Sequence, residues 1–120
     1  MVALTVPHDS PTAGELVEAV REWLLSDVMP GVRPVSSFHA RVAANVLAIV
    51  EREIELGPAQ ADRHRRRLAQ LDVASDEELA AAIRSGRLDD RLEEVRSLVW
   101  DSVRDKLLVA NPNYLDRVED

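Results

Sequence analysis

The stretch from Ser37 to Gly57, SFHARVAANVLAIVEREIELG, decides the fold. At about 100° per residue it predicts one long helix over residues 37–56. Phe38, Val42, Val46, Ile49, Val50 and Leu56 fall on one side, and Ala43, Leu47 and Ile54 widen that side to half the cylinder or more. The opposite strip carries Arg41, Ala44, Ala48, Glu51, Arg52 and Glu55. An apolar arc so wide needs two or three neighbours to cover it. The expectation is therefore an all-α fold, a compact bundle of four to five helices around this central buried one. Ser36 or Ser37 is placed to cap its first turn, and Gly57-Pro58 to end its last. His39 and Glu53 project into the arc and Asn45 sits at its edge. Two readings stand side by side: polar groups bonded to a neighbouring helix, or a polar pocket with His39 as its titratable member.

Working outward, residues 1–9 read as irregular, with Leu4 and Val6 available to pack. Thr12 and Glu15 form a T-x-x-E capping box that opens the first helix. Its expected inner face is Leu16, Val17, Val20, Trp23, Leu24 and Val28, and Met29-Pro30-Gly31 stops it. The short connection PGVRPVS makes the first two helices antiparallel neighbours. A third helix, Ala59 to Leu71, has a thin apolar side of Ala61, Leu68 and Leu71. Ser75 with Glu78 opens a short fourth, with Leu79, Ala82 and Ile83 inward, which Gly86 ends. Asp89 or Asp90 starts the last, whose inner face is Leu92, Val95, Leu98, Val99, Val103, Leu107 and Ala110, with Trp100 at the margin. Asn111-Pro112 closes it, and a tail, residues 111–120, folds back through Tyr114 and Leu115. No alternating pattern supports a strand. Residues 1–120 read as a single helical domain.

Composition narrows the function. Apolar residues make up 46% of the 120, enough for a core, but aromatics are only 3%, so bases, sugars and flavins find few stacking surfaces. A net charge of −7 repels phosphate backbones, which together with the first point argues against nucleic acid. The local exception is Arg63, His64, Arg65, Arg66 and Arg67, a basic collar around a helix. Its readings are a solvated charged surface or a docking site for an acidic partner or phosphate. Cysteine is absent, so there is no disulfide, thiolate or zinc knuckle. The first residues lack a signal-peptide pattern and no apolar run reaches membrane-spanning length, so the expected location is the cytoplasm, without a membrane partner.

The motifs of familiar chemistry are missing. No His follows a Glu by three residues, as a di-iron bundle requires, and neither H-E-x-x-H nor an EF-hand loop occurs. Phosphate-binding glycine loops and a nucleophile elbow are also absent. His8-Asp9 is a dipeptide used by metal phosphohydrolases, but here it reads as a helix entry. No catalytic residue, metal site or cofactor is assigned.

Three stretches carry a resemblance: His8-Asp9-Ser10-Pro11-Thr12 leading to Glu15-Leu16; Phe38 to Asn45, FHARVAAN; and Lys106-Leu107 through Ala110-Asn111-Pro112 to Tyr114-Leu115. The chain resembles a small bacterial family of domains of unknown function. Such domains are often encoded beside, or joined to, kinases similar to aminoglycoside and choline phosphotransferases, with acyl-CoA dehydrogenase genes nearby. The resemblance implies an accessory domain, since the chain is too short for a kinase and lacks its lysine and catalytic loop. Three expectations follow. The first is a non-catalytic accessory protein that partners such a kinase, with Arg63, Arg65, Arg66 and Arg67 as candidate partner-binding residues. The second is a binder or enzyme for an anionic or acyl small molecule, with His39, Arg41, Asn45 and Tyr114 between helices 1, 2 and 5. The third is a structural homodimer.

Overall fold

The computed structural model of the chain describes residues 11–119. Among them are five α-helices and no strand: α1 Ala13–Trp23, α2 Pro34–Gln70, α3 Asp76–Arg84, α4 Leu92–Ala110 and α5 Pro112–Glu119. The expected all-α class is observed. The expectations for residues 1–9, including Leu4, Val6, His8 and Asp9, lie outside the described residues. The chain packs as two compact units, one ending at Glu55 and one beginning at Leu56.

In the first unit the Thr12 capping box forms as expected. Thr12 Oγ1 accepts from the Glu15 N–H at 3.2 Å, and Glu15 Oε1 accepts from the Thr12 N–H at 3.3 Å. After α1 the chain stays helical through a π turn, Leu24–Val28, and a 3₁₀ turn, Met29–Gly31. α2 then starts at Pro34, three residues before the expected Ser37, because a proline's fixed φ and missing N–H suit a first turn. Arg21 binds Glu51 through both carboxylate oxygens, and a Cβ added at Gly14 would lie 3.9 Å from Ile54. These two contacts run in opposite chain directions, so α1 and α2 are antiparallel, as the short connection predicts.

The burial of α2 reverses the sequence expectation. Ala40 and Ala44 are buried, whereas Phe38 is 63% exposed and Val42, Val46 and Ile54 are exposed as well. Leu47, Ile49 and Val50 are half-buried. The wide arc is therefore not sheathed, and the central buried helix is corrected to one that buries its small-residue side. Ala40, Ala44 and Glu51 fall within about 40° of one another around the helix. Alanines allow close approach, and the Arg21–Glu51 pair ties that same side to α1. The inner face of α1 is likewise narrower than expected. Leu16, Val20 and Trp23 are exposed, and Val17, Leu24 and Val28 are half-buried.

In the second unit α2 continues through Gly57-Pro58, so the expected break and the separate third helix are corrected. A proline within a helix costs about 3 kcal/mol by removing one ladder bond and crowding the carbonyl four residues back. Residues 59–70 are rich in Ala, Arg, Gln and Leu, all strong helix formers, and extending a helix avoids a second costly nucleation. The thin apolar side of that segment proves to be the centre of the core. Leu68, Leu71, Val73, Ala82, Leu88 and Val95 are buried together, with Leu79 and Leu98 packed against them.

Two matched helix ends frame this core. At the end of α2, Asp72 takes φ 61°, the Val73 N–H donates to the Leu68 carbonyl and the Asp72 N–H to that of Ala69. At the end of α3, Gly86 takes φ 81°, the Arg87 N–H donates to Ala82 and the Gly86 N–H to Ile83. Both are Schellman ends, and the first seats Val73 against Leu68. Ser75 caps α3 as expected, accepting from the Glu78 N–H at 3.2 Å, while Glu78 reaches back to the Ala74 N–H at 2.8 Å. A 3₁₀ turn, Asp89–Arg91, leads into α4. Val95 and Leu98 of α4 meet the core, but Leu92, Val99 and Val103 are exposed. These three lie about a quarter-turn or more from the Leu98–Ser102–Asp105 side that faces α2. The tail is helical: Pro112 starts α5, which buries Leu115 and leaves Tyr114 46% exposed.

Candidate interaction surfaces and the ionic cluster of α2 and α4

The expected basic collar is largely neutralised in place. Arg63 and Arg67 point to α4, where both bind the Asp105 carboxylate. Arg63 does so through two bonds of 3.2 and 3.3 Å, and Arg67 through one of 3.1 Å. Gln60 Nε2 donates to the Asp105 backbone carbonyl at 2.8 Å. Burial alone would raise the Asp105 carboxyl, but the hydrogen bonds and charges of Arg63 and Arg67 outweigh it and hold the group below the usual carboxylate range. Arg65 and Arg66 share Asp62 on their own helix and stay 71% and 78% exposed. These two form the solvent-facing part of the collar.

His64 joins the cluster to α3. Its Nε2 lies 2.8 Å from Asp76 Oδ1 and its Nδ1 lies 3.0 Å from Ser102 Oγ, which also accepts from Arg67 at 3.2 Å. His64 thus stands between the Ser102 hydroxyl and the Asp76 carboxylate. The residue types are those of a hydrolytic triad, but the geometry is not. The imidazole presents Nδ1 to the serine, and the carboxylate is 70% exposed. Ser102 also lies in mid-helix, where backbone amides are committed to the ladder and form no oxyanion hole. The arrangement clamps α2 to α3 and α4. A second clamp joins Arg91 to Glu94, Asp72 and the Gln70 carbonyl, and it lowers the Glu94 carboxyl through hydrogen bonds from Arg91 and Gln70.

The expected ligand residues sit elsewhere. His39, Arg41 and Asn45 are exposed on α2, with the His39 ring 6.0 Å from that of Phe38, and Tyr114 is exposed on α5. His39 does not project into a buried arc, because the arc itself faces water. Sequence reading passed over Ser102, Asp105 and Asp76 as partners of the collar. One signal was present: Arg63 and Arg67 are four apart and Ser102 and Asp105 three apart, so each pair shares a side.

On the side of α4 away from the core, Glu93, Arg96, Ser97, Val99, Trp100 and Val103 line a shallow groove of about 620 Å³. Among the described residues no group of three or more His, Asp or Glu side chains is gathered as a metal site requires, and no helix is long and apolar enough to cross a membrane.

These elements define an all-α protein whose polar contacts join helices and whose exposed features are apolar helix faces. Residues 30–114 match DUF6285, a domain of unknown function, and the chain belongs to that family. The matched stretch contains α2, α3 and α4 entire, and with them the ionic cluster and the exposed arc. Comparison with curated proteins and with solved structures finds no match.

Proposed function

We propose that this chain is a non-catalytic helical accessory module that binds another protein through the outward arc of α2. The observation that carries the reading is the exposure of Phe38, Val42 and Val46, at 63%, 44% and 52%, on a helix that buries alanines instead. Large apolar side chains grouped on one face and left in water mark an interaction site. For the partner we propose a phosphotransferase-like kinase, on the resemblance described above, with Arg65 and Arg66 meeting acidic residues on it. A cytoplasmic location, in keeping with the absence of cysteine, belongs to the same proposal. The small-molecule alternative at His39, Arg41, Asn45 and Tyr114 draws less support, since all four side chains are exposed.

The test is co-purification with a tagged phosphotransferase-like kinase. Complex formation that is lost in Val42→Glu/Val46→Glu, with helicity intact, supports the reading. Arg65→Glu/Arg66→Glu is expected to weaken the complex by about tenfold, as for other charge reversals at an interface rim. Absence of a complex, or one indifferent to the α2 variant, overturns it.

A further inference from the structure

We propose that the outward arc of α2 pairs with the same arc of a second copy, the two helices running antiparallel. The inference rests on the reading that this arc is an interaction face. It names a second copy of the chain as what covers the face while no other partner holds it. Val35, Phe38, Val42 and Val46 are exposed along the arc, with Ile49 and Val50 half-buried. His39 and Glu53 are exposed on the same arc, whereas Arg41, Glu51 and Arg52 lie outside it.

The placement of these two ionisable groups selects that occupant. Each lies seven residues from Val46, His39 before it and Glu53 after it. They fall within about 40° of one another around the helix, but about 21 Å apart along it, so they cannot meet within one copy. Two antiparallel copies related by a two-fold axis near Val46 bring His39 of each opposite Glu53 of the other. An imidazole N–H then donates to a carboxylate at both ends of the seam, with Val42, Val46 and Ile49 between. A parallel pair instead sets Glu53 against Glu53, which charge opposes. From Val35 to Ile54 the arc runs about 28 Å, and the pair covers on the order of 1,000 Å², the lower edge of a specific interface. Reversible association, with a dissociation constant of about 10–100 μM, is expected of such a contact.

The test is sedimentation of the full chain alone across a concentration series, with circular dichroism as the check on folding. A species of twice the 13.4 kDa chain mass is expected, and Val42→Glu/Val46→Glu is expected to abolish it. His39→Glu alone sets two carboxylates together at both ends of the seam and should raise the dissociation constant about tenfold or more. Glu53→Lys alone should raise it about fivefold. The double variant His39→Glu/Glu53→Lys should return to within about threefold of the parent, and so should an equimolar mixture of the two single variants. Only contact between antiparallel copies gives that recovery. A monomer at every concentration up to about 1 mM, a dimer indifferent to the single variants, or no recovery in the mixture overturns the proposal. None of these outcomes involves the kinase, so the co-purification test is decided separately.

Discussion

Asp72 and Gly86 hold the same place in two helix ends, and only one of them is the residue that place favours. A left-handed φ strains a side chain with a Cβ, and Asp72 bears that strain at φ 61°. Its bond to Arg91, 3.4 Å long and 84% exposed on the Asp side, is worth little. Asp72→Gly is therefore expected to stabilise the protein by about 0.5–1 kcal/mol. Gly86→Ala is expected to destabilise it by about 1 kcal/mol or more, and urea midpoints measure both. A Cβ added at Gly86 would meet Asp89 Oδ2 at 3.1 Å, a side-chain tip able to move, so the cost lies in the backbone. Asp105 sets a second expectation. Its folded carboxyl is held below the ordinary value of 3.8, so its contribution is fully present above that value and is lost as pH falls through the lower folded one. Asp105→Asn should cost about 1–3 kcal/mol at neutral pH and remove that component of acid unfolding, as read from denaturant midpoints between about pH 2 and 7. Spacing showed that Arg63 shares a side with Arg67 and Ser102 with Asp105, but not that the two sides meet, because Arg63 and Asp105 are 42 residues apart and only packing brings them together.

At the scale of the element, α2 shows that helical pattern is easier to read than helical extent. Its existence followed from periodicity, yet both expected ends were displaced: Pro34 opened it earlier and Gly57-Pro58 did not close it. Local stop signals compete with the free energy of continuing, and here continuation carries Leu68 and Leu71 to the core. The glycine and proline remain a weak point. Gly57→Ala/Pro58→Ala is expected to raise stability by about 1–3 kcal/mol, seen as a higher melting temperature, without altering helix content. In the parent chain, hydrogen exchange should find amides near Glu55–Ala59 the least protected of the helix interior. The capping signals fared better. Thr12, Ser75 and Gly86 mark real helix ends, because a cap is satisfied by neighbours within a few residues.

Across the whole molecule, burial and hydrophobicity part company. Leu71 is 1% exposed in the core, whereas Phe38, the larger side chain, stands mostly in water. Leu71→Ala is expected to cost about 2–5 kcal/mol and Phe38→Ala to change stability by less than about 0.5 kcal/mol, measured by chemical denaturation at a concentration where the chain is monomeric. A result with Phe38 as costly as Leu71 would place that ring in a core. The sequence by itself determined the all-α class and several of the helix caps, since period and capping are local properties of the chain. Only the tertiary structure decided which side of each helix is covered. Periodicity reports that a face is apolar, but whether that face meets this chain, a partner or water depends on a choice made among surfaces distant in sequence. In α2 that choice went to the alanines and Glu51, where close approach and the Arg21 pair outweighed the larger apolar area opposite.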